Sequence, residues 1–238
     1  KEEALDLPDQ IFVTRKIELT PKTRKLYDRL RLDSFLELEN EGTVTATTAL
    51  TRLLRLQQLT GGFLVADEEE APQSVSTEKL EALQDIIIDY VLGEGKKLVI
   101  FARFLAEVHA IEKLCEKVLP KDMKAVSIYG AIKKEDRGPI IKQFQEDPKT
   151  MIILGQIDTL STGVTLTAAS TCVYYSKSYN YATYEQSLSR IHRIGQTQKC
   201  TYIDLVADKT VDMNISKALK EKKNLAEKIV DNWRDIFS

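Results

Sequence analysis

An α/β fold with a doubly wound parallel sheet is what this sequence predicts, and three observations carry the prediction. From about Ser76 onward, short β-branched apolar runs alternate with segments of helical periodicity, the pattern of repeated strand-helix-strand units. The runs are continuously apolar, as expected of strands covered by helices on both faces. The 238 residues are 43% hydrophobic, enough for one large domain or one domain with an appended subdomain.

The elements follow in order. IFVTRKIEL alternates like an edge or half-buried strand, and Pro21 opens a charged helix running toward Glu39. A second helix, TATTALTRLLRLQQLTGG, ends at Gly61 and Gly62, and DEEEAPQS reads as an acidic surface loop or linker. This segment, residues 1–75, forms either a subdomain or a partner-facing protrusion. Residues 76–209 hold the strand-helix series, opening with Leu80, Leu83, Ile86, Ile87 and Tyr90 on one helix face and then the strand LVIFA. A helix with Leu105, Val108, Ile111, Leu114 and Val118 follows. After it come AVSIY, a helix with Ile140, Ile141 and Phe144, MIIL, TCVYYS, a helix bearing arginines, and CTYIDLVA. Residues 210–238 read as one long charged helix with Val211, Ile215, Leu219, Leu225, Ile229 and Trp233 on its packed side. That helix either packs across the domain or braces two domains.

Charge is balanced, 34 Lys and Arg against 36 Asp and Glu, so nucleic-acid binding requires a local basic stripe. Cys115, Cys172 and Cys200 are widely spaced with no Cys-x-x-Cys and only two histidines to help, which argues against structural zinc and a disulfide framework. Cys172 and Cys200 sit in strand-like runs as small hydrophobes. No run is long enough to span a bilayer and the charged first ten residues lack a signal core, so no membrane partner and an intracellular site are expected. The first residue is lysine, so a fragment of a longer protein is expected.

The chemistry is concentrated in EQSLSRIHRIGQTQ. Gln186, Arg190 and Arg193 are spaced four and three apart, so a helix presents them on one face, and two arginines aimed together point to an anion. A complete nucleoside triphosphatase also needs G-x-x-x-x-G-K-[ST] and an acidic residue for magnesium. Neither is found. Gly93-Glu94-Gly95-Lys96-Lys97 precedes a strand and has lysine after its lysine, which makes it a helix-to-strand turn. The chain alone should not hydrolyse ATP. A dinucleotide enzyme fails because no G-x-G-x-x-G follows the first strand.

The pattern Gln-x-x-x-Arg-x-His-Arg-Ile-Gly-Gln resembles the last helicase motif of the Swi/Snf group of superfamily 2 DNA translocases. KLVIFARF is similar to the family's KVLIFSQF, with Arg103 in the glutamine position, and SIYGAIKKEDRGPIIKQF to its LDGSTxxxxRxxxIxxF. QIDTLSTGVTLTAAS resembles STxAGGLGINLTAAD, keeping Gly163 but with Leu160 and Ser161 in place of the glycine pair and Thr165 in place of asparagine. "ELTP" and "ALTRLLRL" resemble the segment that forms a helical protrusion before the second motor lobe. The resemblance runs from about Ile17 to about Asp212.

It implies a RecA-like second lobe at 76–209, preceded by a strand and helical protrusion at 1–75 and followed by a brace helix at 210–238. The implied function is half of an ATP-dependent double-stranded DNA translocase or remodeller. Arg190 and Arg193 would act as arginine fingers on the γ-phosphate, with Gln186 orienting that helix or the nucleotide. Gly163, Thr165 and Gln196 would contact the cofactor, and Arg103, Gly130, Lys133 and Thr162 the nucleic-acid backbone, with Lys134 adding charge and Arg137 serving as a structural pairing residue. ATP and Mg2+ would be held mainly by a first RecA-like lobe of the parent chain. The compartment would be the cytoplasm or nucleoid in a bacterial or viral source and the nucleus in a eukaryote. An RNA helicase lobe fits less well, since that register puts Gln196 and Lys199 where the finger arginines belong. A non-catalytic scaffold derived from a motor lobe stays open.

Overall fold

The computed structural model describes residues 7–40, 44–65, 71–161, 163–222, 229 and 233–237. Six parallel strands form the main sheet in the order β1 (Gln10–Ile17), β8 (Cys200–Ala207), β7 (Thr171–Tyr174), β4 (Leu98–Ala102), β6 (Thr150–Gln156) and β5 (Lys124–Ile128). β8, β7, β4 and β6 lie inside it, and every residue of β4 is buried. A short antiparallel pair, β2 (Phe63–Leu64) and β3 (Gln73–Ser74), lies apart from it.

Period-two alternation divides each strand between two cores. Val99, Phe101, Ile153, Cys172 and Tyr174 face α1 (Pro21–Asn40), α2 (Ala46–Thr60), α5 (Lys134–Glu146) and α8 (Val211–Lys220), which contribute Tyr27, Leu56, Phe144 and Ile215. Leu98, Ile100, Ile152, Leu154 and Val173 face α3 (Glu78–Ile86) and α4 (Leu105–Val118), which contribute Leu83, Ile86, Val108 and Ile111. Helices on both faces of a parallel sheet are the doubly wound arrangement expected from the sequence. α6 (Ile157–Leu160) and α7 (Tyr181–Leu188) complete the elements.

α3 continues into a π-helical segment, Ile87–Gly93, and the chain turns through Gly95 at φ +65° into β4. The glycine pair is thus a helix-to-strand turn. The Lys97 that follows donates to the carbonyls of Phe144 and Asp147, where it caps the end of α5 instead of reaching for phosphate.

Two expectations change. IFVTRKI is indeed an edge strand, with Phe12 53% exposed, but it pairs along its whole length with β8, and α1 and α2 share the core of the sheet. Residues 1–75 therefore do not carry a separate core. The long C-terminal helix is also not continuous, because α8 stops at Lys220 and Lys222 takes φ +55°, a left-handed value that breaks the α-helical repeat. Ile229 and Trp233 are buried in the main core, as the pattern required, whereas Leu225 lies outside the described residues.

A buried polar network fastens the helices near the carboxyl ends of β7 and β8. Lys79 on α3 lies 2.6 Å from Asp212 on α8 and also donates to the Tyr175 carbonyl. Asp212 accepts further bonds from the Thr60 hydroxyl and the Ala207 amide, and the Tyr175 hydroxyl donates to the Gly61 carbonyl. Lys79 and Asp212 are 2% and 6% exposed, so removing one charge strands the other in a low dielectric. Lys79→Met is expected to lower the free energy of unfolding by about 3–5 kcal/mol. Urea denaturation checks this, and a loss under about 1 kcal/mol would show that the pair is not a fastening.

Candidate functional site

α7 opens at Asn180, whose side chain accepts from the Ala182 and Thr183 amides. It closes at Leu188, before either arginine, so Gln186, Arg190 and Arg193 do not share the helix face that their spacing predicted. The reason is competition for carbonyls. Ser187 and Ser189 hydroxyls bond back to the Tyr184 and Gln186 carbonyls, Arg190 Nε takes the Gln186 carbonyl as well, and the Tyr202 hydroxyl takes that of Leu188. The chain then passes through turns to Gly195 at φ +100°.

The turns still gather the expected side chains. Gly163, Gln186, Ser189, Arg190, His192 and Arg193 line one open cleft of about 640 Å3. The two arginines differ within it. Arg190 is half-buried and spends its guanidinium on the structure, donating from Nη1 to the Val164 carbonyl at 3.0 Å and from Nη2 to Ser189 Oγ at 2.9 Å. Burial, and then the neighbouring charge of Arg193, push its pKa down. Arg193 is exposed, and its guanidinium makes no hydrogen bond or ion pair among the described residues. Gly163 lies at φ +67° with open space where a Cβ would stand, so its backbone conformation, rather than close packing, calls for glycine. Thr165 is half-buried in the loop that Arg190 holds, and Thr162 lies outside the described residues.

Gln196 corrects a sequence expectation. It is 8% exposed; its amide donates to the carbonyls of Thr167, Ala169 and Ile191 and its oxygen accepts from Thr197 and Gln198. With donors and acceptor committed internally, it plugs the turn and has nothing left for a cofactor. His192 is also anchored, to the Pro8 carbonyl at 2.8 Å.

The candidate nucleic-acid residues lie elsewhere. Arg103 and Gly130 follow the carboxyl ends of β4 and β5, whereas the turn ending at Gln198 adjoins Ser170 at the amino ends of β7 and β8. Gln156, at the end of β6, joins the two loops, since its oxygen accepts from the Gly130 amide and its nitrogen donates to the Arg103 carbonyl. The Arg103 guanidinium lies 4.1 Å from the Tyr179 ring, and its Nη1 is buried without a hydrogen-bond partner among the described residues. Burial pushes its pKa down, although Tyr179, Asp158 and Glu107 favour its charge. Gly130, Lys133 and Lys134 are exposed, while Arg137 donates to the Ile132 carbonyl and so serves the loop. The first turn of α5 holds Glu135 and Asp136, which complement its dipole without an external anion.

The sequence reading passed over Gln156 and Glu107. Gln156 carried a signal as the polar residue that closes an apolar strand. Glu107 carried another, three residues after Phe104 at a helix start, where a carboxylate reaches back to the cap amides.

Residues 78–195 match the helicase conserved C-terminal domain. YwqA of Bacillus subtilis, provisionally named an ATP-dependent helicase/translocase, is 26% identical over 241 residues, covering 98% of this chain and 25% of that protein. The SWI/SNF chromatin-remodeling complex subunit snf22 of Schizosaccharomyces pombe is 26% identical over 94% of this chain and 14% of its own length. The Sulfolobus solfataricus SWI2/SNF2 ATPase core in complex with dsDNA superposes with a TM-score of 0.72 at 26% identity, over 95% of this chain and 47% of that one. Fold and sequence together place this chain among the RecA-like C-terminal lobes of Swi/Snf-type helicase-like ATPases. It spans a quarter or less of these two relatives' lengths.

The unequal use of the two arginines is measurable. Arg190→Ala is expected to cost about 1–3 kcal/mol of folding stability by stranding the Val164 carbonyl, and Arg193→Ala to stay within about 0.5 kcal/mol. Thermal and urea unfolding of the two variants side by side checks the difference.

Proposed function

We propose that this chain is the second motor lobe of an ATP-dependent double-stranded DNA translocase, contributing an arginine finger and part of a track along the DNA backbone. The observation that carries this reading is Arg193, an exposed cation with no partner among the described residues, in a cleft beside Gly163 and Gln186. In phosphoryl transfer to water, negative charge spreads over the γ-phosphate oxygens, and a guanidinium held among them lowers the barrier. Arg193 supplies that charge. Arg190 is chiefly the strut that holds the Gly163 loop against the arginine turn, with its remaining charge aimed at the same anion. Gln186, exposed on the last turn of α7, borders the nucleotide.

Magnesium and the phosphate loop belong to a first lobe in the same parent protein. Among the described residues no group of three or more His, Cys, Asp or Glu could hold a metal ion. Without that lobe the chain is inactive. Residues 1–75 form the protrusion and 210–238 the brace of the motor, both built onto the core of the 76–209 lobe.

Arg103 and Lys133 meet phosphates of a duplex, and the exposed Gly130 lets the backbone of its loop come close to that of the DNA. Such contacts track DNA without reading its sequence. Nucleotide between the lobes favours closure and hydrolysis releases it, so the lobes step along one strand. Relatives occur in bacteria and in eukaryotic remodelling complexes, so the compartment is the cytoplasm or nucleoid in the first case and the nucleus in the second.

A second reading is a non-catalytic scaffold. It is favoured by Leu160 and Ser161, which replace the family's glycine pair and are 0% and 1% exposed, closing part of the loop that a nucleotide or DNA would approach.

In the parent protein, duplex DNA is expected to stimulate ATP turnover, and Arg193→Ala to lower it by about 10³ or more with the fold intact. Phosphate release with and without duplex tests both; no turnover with any nucleic acid would favour the scaffold. In equilibrium binding, Arg103→Ala should weaken duplex affinity and reduce the salt slope by about one unit.

A further inference from the structure

Glu107 is the most deeply buried carboxylate near the proposed track, 1% exposed on the first turn of α4. Its Oε2 accepts the amides of Arg103 and Phe104, each at 3.1 Å, and the Ser176 hydroxyl, which in turn accepts the Arg103 amide. Its Oε1 has no hydrogen-bond partner among the described residues and sits 2.2 Å from where a Cβ on Gly61 would be, so Gly61 is glycine to make room for it. One side chain thus ties the Arg103 loop to the segment after β7 and packs close to the end of α2.

The groups around it are few. Lys79 on α3 is a cation whose charge favours the ionised form, and it is already paired to Asp212 on α8. Arg103 turns its guanidinium toward Tyr179, Tyr175 follows β7, and His109 on α4 itself is exposed and bound to Glu112. Glu107 also favours the charge of Arg103 directly, and it acts on the Arg103 loop through the hydrogen bonds that it accepts.

We propose that Glu107 is a positioning residue for Arg103, and that its ionised form holds the Arg103 loop in the orientation that meets a DNA phosphate, making duplex affinity fall when Glu107 is neutral. The proposal rests on the DNA-track reading above. The ionised carboxylate accepts stronger hydrogen bonds than the neutral group. Burial pushes the carboxyl up to about 7, against bonds from Ser176, Phe104 and Arg103 and the charge of Lys79 that hold it down. Ionising this group therefore costs folding stability, progressively from about pH 4.5 to about pH 7, while it tightens the loop. Stability and affinity move in opposite directions, which a merely structural role does not produce.

The test uses the 238-residue chain, its Glu107→Gln variant and a short fluorescein-labelled duplex, followed by anisotropy on either side of about pH 7. The native chain should lose about threefold to tenfold in affinity, relative to the variant, between the alkaline and acid conditions. The variant should bind at the native chain's acid-side strength throughout while melting no lower than the native chain in alkali. The Arg103 and Phe104 amide resonances should titrate near pH 7 in the native chain and not in the variant. Equal affinities at every pH, or amides that do not titrate with Glu107, overturn the proposal. Amides that titrate as expected while neither protein binds duplex overturn the DNA reading, and with it the role assigned to Arg103.

Discussion

Lys79 stands near the start of the sheet domain and Asp212 in the helix that follows it, and their buried pairing is the constraint on which much of the rest depends. A buried ion pair adds little net stability over an apolar alternative, but it tolerates few arrangements, because either charge left alone is expensive. The pair therefore fixes where α3 and α8 stand relative to the end of β7. Through Thr60, Gly61 and Tyr175 it fixes the end of α2 as well. The N-terminal helices are thereby joined to the sheet by directional bonds as well as by apolar packing.

The same region sets the loop that bears Arg103. Tyr175, Ser176 and Tyr179 follow β7 in a single short segment, and each meets either the ion-pair network or the Arg103 loop. That segment leads directly into α7 and on to the arginine turn. The proposed DNA contacts and the proposed nucleotide contacts therefore lie toward opposite ends of the strands yet hang from one stretch of chain. In an interior packed as densely as a crystal, such an arrangement transmits displacement without needing a flexible joint.

Much of this was legible from residues alone. The alternation of apolar runs with helical periodicity gave the strands and the longer helices of the sheet domain in their observed order, with the four-residue α6 passed over, because burial on both faces leaves no polar alternation to confuse the signal. Gly61-Gly62 ended α2 as read, and the Gly93–Gly95 turn was recognisable as no phosphate loop. The edge strand β1 was visible as a strand, but its partner was not. Parallel pairing with β8 depends on a contact between the two ends of the chain, which local pattern does not encode. The C-terminal pattern was read as one helix because the apolar spacing continues past Lys220, where the backbone turns.

The candidate site shows the same division most sharply. Sequence by itself determined which residues would gather there: the spacing of Gln186, Arg190 and Arg193 and the glycine at 163 are chemical choices written in the chain. Only the tertiary structure decided what each one does. Whether a guanidinium is free depends on which carbonyls the fold leaves unpaired nearby. The Val164 carbonyl claims Arg190, and nothing among the described residues claims Arg193. Gln196 and Glu107 follow the same rule, since the obligation of every buried polar group to find a partner is settled by neighbours far away in sequence.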